Sequence, residues 1–325
     1  MRRRDFLTLA GGAAGLPIAA RAQQTNKAPR IGLLMPNSAA AEEKDGSLPA
    51  FRQALSRLGY VEGMTIVIEM RFADGKIDLL PRLADELVAS KVDVIVTAGE
   101  GVKAACRATK TVPIVMGTGG DVVALGLAKS LAHPGGNLTG TSVLGLEIEA
   151  KKLELLKQVL PFSRRVGVLV GRGQANIVAE SVAARVARAL DVELEPFEGF
   201  DAASYEAAFS SASAASIGGF VIGNYGQFYG DVDLIVTIAN GHRVPTVGAP
   251  YFAEKGMLIG YGADGDDAWT RAAAFVDKIL KGVKPGDIPI ERAALFHTVV
   301  NLKTAGLLGL ELPRAVLAAA DEVIE

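Results

Sequence analysis

Cysteine is almost absent from this chain. Cys106 is the only one in 325 residues, so no internal disulfide can form and stability must come from packing. Cys106 itself falls in a helical pattern and reads as a small buried hydrophobe. Histidine is scarce too: His133, His242 and His297 lie far apart, and none stands at a metal-ligand spacing. No Gly-x-Ser-x-Gly elbow, Walker loop or Cys-x-x-Cys pair occurs. No nucleophile with a base to activate it can be named, so the chain is read as a non-enzyme with no catalytic residue, metal or cofactor. Positive charge is not in excess either. The formal net charge is −2, which argues against a nucleic-acid partner. After the first two dozen residues no apolar run is long enough to span a bilayer.

What is present begins with an address. Met1-Arg-Arg-Arg-Asp-Phe-Leu carries a twin arginine, an apolar run from Phe6 to Ala20 follows, and Ala20-Arg21-Ala22 fits a small-residue cleavage site. Residues 1–22 are therefore read as an export signal cleaved near Ala22. Gly11, Gly12, Gly15 and Pro17 interrupt the run and speak against a membrane anchor. Cleavage removes four arginines and Asp5 and leaves a net charge near −5. The mature chain is expected in the periplasm.

From Pro29 onward, short apolar runs alternate with stretches of helical period, as a parallel sheet covered by helices requires. Ile31–Met35, Thr65–Phe72, Val92–Ala98 and Val112–Met116 read as strands. Leu48, Phe51, Leu55 and Leu58 mark one face of a helix, and Leu79, Leu80, Leu83 and Leu87 another. Val122 to Leu131 reads as a further short helix. A second series follows Pro134-Gly-Gly-Asn-Leu-Thr-Gly140, which reads as a linker and the first of several hinge crossings. The fold class expected is α/β, with two doubly wound parallel-sheet lobes joined by a multi-strand hinge. The first lobe takes residues 29–140 plus about 262–290. The second takes 141–261 plus about 291–325.

Open α/β sheets bind ligands at the carboxyl ends of their strands. The exit loops there supply the candidate ligand-binding residues: Asn37, Ser38, Gly99, Glu100, Thr118, Gly119, Asp121, Ser142, Arg172, Asn176, Asn224, Tyr225 and Tyr251. Backbone N–H groups at helix amino termini suit a carboxylate, and Glu100 or Asp121 suits an amine. Asp121 equally reads as a cap, and Glu100 as a first-turn partner of a helix dipole. Tyr225, Phe228 and Tyr229 form an aromatic cluster, either core or an apolar wall for the ligand. Gly171-Arg-Gly-Gln-Ala-Asn176 approaches a dinucleotide fingerprint, but Asn176 replaces the third glycine. Asp264-Gly-Asp-Asp267 lacks the spacing of a calcium loop and reads as a helix cap.

Several segments resemble one family throughout the chain. They are Arg3-Arg-Asp-Phe-Leu, Phe51-Arg-Gln-Ala-Leu with Gly59-Tyr-Val-Glu-Gly63, Gly119-Gly-Asp-Val-Val with Leu125-Gly-Leu, and Pro134-Gly-Gly-Asn-Leu-Thr-Gly140. Lys152-Leu-Glu-Leu-Leu156, Phe252-Ala-Glu, Gly260-Tyr-Gly, Asn301-Leu-Lys-Thr-Ala and Ala320-Asp-Glu-Val-Ile-Glu continue the series. The chain resembles ABC transporter substrate-binding proteins of the tryptophan/tyrosine type. That resemblance implies a type I periplasmic-binding-protein fold with three crossovers and a ligand clamped between two lobes. It also implies a permease and an ATPase at the inner membrane as partners, and the chain is expected to be a monomer. Glu100-Gly101 and Gly171-Arg-Gly-Gln174 depart from the family pattern, and a negative and a positive group added there suit a zwitterion or polar solute. The expected function is capture of a small organic solute, an amino acid or related carboxylate, by hinge closure. The alternatives are a periplasmic sensor reporting to a membrane receptor and an exported enzyme on the same scaffold.

Overall fold

Arg30-Ile-Gly-Leu-Leu-Met35 forms β1, buried along nearly its whole length, as a central strand of a parallel sheet must be. In the computed structural model residues 28–325 are described, apart from Gly46, Leu144, Glu180 and Ser181. The leader read at residues 1–22 lies outside the described residues. Among these, no helix is long and apolar enough to cross a membrane.

The chain then alternates: α1 (Ala39–Asp45) and α2 (Ser47–Arg57), β2 (Val67–Phe72), α3 (Leu80–Ala89), β3 (Val94–Thr97), α4 (Glu100–Ala108), β4 (Ile114–Gly119) and β5 (Leu138–Ser142). All five strands pair in parallel. The leucine stripe on α3 buries Leu80, Leu83 and Leu87 against one face of the sheet, with Val102, Ala105 and Cys106 of α4 beside them. Burial pushes the Cys106 thiol up to about 11, so it is an inert core group rather than a nucleophile.

The second series runs α5 (Gly145–Val159), β6 (Arg165–Val170), α6 (Ala175–Ala179), α7 (Val182–Ala189), β7 (Glu193–Glu198), α8 (Ala202–Ala214), β8 (Phe220–Ile222), α9 (Gly226–Gly230), α10 (Val232–Gly241), β9 (Thr246–Gly248), α11 (Pro250–Glu254) and β10 (Ile259–Ala263). The chain then returns to the first lobe. Helix α12 (Gly265–Leu280) packs Trp269, Phe275 and Val276 against Phe51 and Leu55 of α2. Strand β11 (Glu291–Arg292) pairs with β5. A last return adds β12 (Phe296–Asn301), α13 (Leu302–Leu308), α14 (Arg314–Ala318) and β13 (Glu322–Ile324) to the second lobe. The sheet orders are β11-β5-β4-β3-β1-β2 and β13-β12-β10-β9-β8-β6-β7, with β12 antiparallel to β10. Two α/β lobes, each with helices on both faces of its sheet, are thus joined by three passages of the chain.

Three sequence expectations need correction. Leu138-Thr-Gly140 is not linker: it is buried in β5 and pairs with β4, so the first passage comes after Ser142. The boundaries move accordingly. Thr141 and Ser142 pair with Glu291 and Arg292 in the first sheet, while Gly262 and Ala263 pair with His297 and Phe296 in the second. Finally, Val122–Leu131 is a run of turns rather than a helix. Gly126 sits at φ +68°, and the N–H of Leu127 reaches back to the carbonyl of Val122, which breaks helical progression. At the waist, Asp264 N–H donates to Leu295 O and Ala293 N–H to Ser142 O, both at 3.0 Å, tying the passages to one another.

Candidate functional site

A cleft of about 520 Å³ opens between the lobes at the carboxyl ends of both sheets, a volume in the range of small-molecule sites. The first lobe contributes the loops after β1, β3 and β4. The second contributes those after β8 and β9, and the passage from β10 to α12 crosses the site. Of the residues expected from sequence, Asn37, Gly99, Glu100, Thr118, Gly119, Asn224 and Tyr251 line it.

Glu100 opens α4 and reaches the other lobe: the N–H of Gly226, at the start of α9, donates to Glu100 Oε1 at 3.3 Å. Burial holds the Glu100 carboxyl above its ordinary range, and N–H donation from its own backbone and from Gly226 offsets only part of that. Beside it, Asn37 Nδ2 donates to Glu42 Oε1 at 2.7 Å, and Glu42 is 4 % exposed. Asn37 Oδ1 is buried with no donor among the described residues. The Gly99 N–H donates to Thr118 O at 3.0 Å, tying the β3 and β4 loops together.

Aromatic faces form the apolar part. Tyr229 and Tyr251 stack with centroids 6.1 Å apart and planes within 4°. Burial, then the nearby carboxylates Glu42, Glu100 and Glu149, push the Tyr229 phenol well above its ordinary range, so it stays a neutral hydrogen-bonding group. Trp269, the single tryptophan of the chain, lines the cleft and meets Phe51 edge-on at 6.0 Å.

Six expected residues do not line the cleft. Ser38 caps α1, its Oγ accepting the Ala41 N–H at 3.3 Å. Asp121 Oδ1 accepts the N–H groups of Val123 and Ala124 at 3.1 and 3.0 Å and serves the turn. Ser142 is buried and its hydroxyl donates to Gly120 O at 3.0 Å. The Arg172 guanidinium lies 3.8 Å above the Phe200 ring. Asn176 is exposed on α6. Tyr225 packs edge-on against Phe228 at 5.4 Å, and burial pushes its phenol up to about 12.

Sequence reasoning missed Glu42, Pro250, Glu254, Asp264, Asp266 and Trp269, all of which line the cleft. Asp264 does cap α12, its Oδ1 accepting the Asp267 N–H at 2.9 Å. The signal for it was that cap, placed where the chain passes between lobes. Among the described lining residues there are five carboxylate side chains and no lysine or arginine. Among the described residues, no group of three or more His, Cys, Asp or Glu side chains is arranged to hold a metal.

Comparison with known proteins places this geometry. A protein described as the tyrosine-binding protein of Clostridioides difficile is 27% identical over 271 residues, 82% of this chain and 77% of that one. The crystal structure of a conserved domain protein from Vibrio cholerae superposes with TM-score 0.82 at 27% identity, covering 91% of this chain and all of that one. An ABC domain from Streptococcus pneumonia in complex with L-Trp gives TM-score 0.81 at 22% identity, over 92% of this chain and 100% of that one. It shares the fold. The family model described as ABC transporter substrate binding protein matches residues 40–324, and the chain belongs to that family.

Proposed function

We propose that this protein captures an amino acid in the cleft between its lobes and delivers it to an importer made of a membrane permease and an ATPase. The observation that carries the reading is Glu100: a half-buried carboxylate at the seam of the two lobes, in a cleft with stacked tyrosines and no lysine or arginine among its described lining residues. A ligand ammonium set against Glu100 compensates a charge that burial leaves costly. Aromatic faces beside it suit an apolar side chain. The name of the tyrosine-binding relative and the L-Trp complex support the same ligand class. Closure follows from differential contact, since only a ligand touching both lobes favours the closed state. The protein acts without chemistry, in the periplasm, after export and cleavage near Ala22.

Mass spectrometry of material copurifying with the folded protein, followed by calorimetry with the compound found, tests this. An amino acid that binds and reduces the radius in solution scattering is the expected result. A ligand at one hundred times its dissociation constant adds ~2.7 kcal/mol of stability. No response to any amino acid, or an unchanged radius at saturation, overturns the reading.

A further inference from the structure

Under the second-lobe wall of the cleft lies a lysine shut off from solvent. Lys152 of α5 is 0 % exposed, and its Nζ donates to Glu149 Oε1 at 3.1 Å, to the Ile222 carbonyl at 3.0 Å and to Asn224 Oδ1 at 2.9 Å. An ammonium has three N–H donors and no acceptor, so all three are used. Glu149 balances the charge, since a buried ammonium without a partner is strongly destabilising. The third bond has a consequence at the surface above. Because the group beneath Asn224 can only donate, the atom facing it must be the carbonyl oxygen Oδ1, which fixes which way the amide is turned. Asn224 is exposed and lines the cleft, and its Nδ2 has no acceptor among the described residues.

This donor answers a need of the cleft. Among the described lining residues no lysine or arginine is available to hold the carboxylate of a ligand. Arg172, the basic residue the sequence put forward, lies on Phe200 instead. An amide whose oxygen accepts from a buried ammonium is polarised, and its N–H groups are stronger donors for it. The remaining nitrogen base of the wall, His297, is set against Asp321 and Glu322, at 4.0 and 3.6 Å.

Resting on the amino-acid reading above, we propose that Asn224 is a specificity-determining donor to the ligand carboxylate, and that Lys152 is a positioning residue that holds the Asn224 amide with its N–H pair toward the cleft. Lys152 itself does not touch the ligand. Its effect is to make the second lobe select for an acceptor group, while Glu100 of the first lobe takes the ammonium.

The test compares L-tyrosine, L-tryptophan and L-leucine with their decarboxylated amines, tyramine, tryptamine and isoamylamine, by calorimetry on the full chain. Asn224→Asp keeps an oxygen for Lys152 but turns a second oxygen to the cleft. It should weaken the best amino acid about 10- to 100-fold while leaving its amine unchanged or tighter. Lys152→Met alone leaves Glu149 buried without its partner and risks the fold, so Lys152→Met is paired with Glu149→Gln. That double variant should fold and lose selectivity for acid over amine, because the Asn224 amide is free to turn. A purely structural role would lower melting temperature and weaken acid and amine together. Equal losses for both, or Asn224→Asp binding as the parent does, overturn the proposal while the amino-acid reading stands. If the parent binds no amino acid, both fall together.

Discussion

Glu100 Oε1 accepts the N–H of Gly226 at 3.3 Å, a hydrogen bond between residues 126 positions apart that belong to different lobes. It joins the amino termini of two helices, α4 and α9, and lies where a ligand would be enclosed. The same glycine also sets how closely the lobes approach. A Cβ built on Gly226 would stand 2.8 Å from Pro36 Cβ and 3.0 Å from Glu100 Oε2, both first-lobe atoms. The lobes come this close at the seam because residue 226 has no side chain.

Gly226→Ala should leave both lobes folded and hinder their approach. The added methyl meets nothing closer than those first-lobe atoms, so the strain of about 1–3 kcal/mol falls on the closed state. Ligand affinity is expected to fall about 10- to 100-fold with the ligand-free melting temperature nearly unchanged. Calorimetry and scattering at saturating ligand would show it. Parent-like affinity would mean that the seam opens without cost.

Glu100 should make the stability of the ligand-free protein depend on pH. Its carboxyl is raised above the ordinary value of 4.5, chiefly by burial. A group raised on folding contributes stability that is full below the unfolded-state value and is lost as pH rises through the folded-state value. Ligand-free stability should thus decline as pH climbs from about 4.5, and Glu100→Gln should remove that decline. The variant is expected to match the parent at pH 4, to exceed it at pH 7, and to bind the amino acid more weakly. Thermal melts across that range, with and without ligand, check all three outcomes.

Much of the architecture is visible in the one-dimensional pattern. The 3.6-residue stripe of α3 and the apolar run of β1 announce themselves because each buries what its period predicts. The failures have local causes. Val122, Leu125 and Leu131 imitate a helical stripe, yet Gly126 at positive φ closes turns there. Leu138-Thr-Gly140 looks like a linker because glycines precede it, and only its pairing with β4 reveals a strand. For the cleft, strand ends predict which loops face it but not how deep each residue sits. Arg172 has the chemistry for a ligand carboxylate and stacks on Phe200 instead. Trp269 enters from a helix 16 residues long that belongs to the first lobe although it follows most of the second, a placement set by tertiary packing alone.

Strand β5 depends on a glycine that no other residue can replace. Gly140 sits at φ +130°, and a Cβ there would lie 2.1 Å from Met116 O and 2.6 Å from Met116 N on the neighbouring strand. Gly140→Ala should cost about 3 kcal/mol or more, since the obstacle is backbone and cannot rotate away. Denaturant unfolding measures this directly. Because β4 carries Thr118 and Gly119 into the cleft, ligand affinity should drop as well, unlike in a surface variant of equal stability.

Trp269 offers a built-in reporter of the site. It is the only tryptophan in the chain, it lines the cleft, and it is held from below by Phe51 at 6.0 Å and from the side by Gly117, whose built Cβ would stand 2.9 Å from the indole. With the ring held from two sides and only 3 % exposed, ligand entry should alter its emission by changing the polarity beside the indole rather than by turning the ring. Titration with the bound amino acid should therefore shift or quench tryptophan fluorescence in a single saturable phase, with the dissociation constant found by calorimetry. In Gly226→Ala the same change should appear at higher ligand concentration, since the ring is intact and only closure is impaired. Binding seen by calorimetry with emission unchanged would place the ligand away from α12, and with it away from the seam between Glu100 and Gly226.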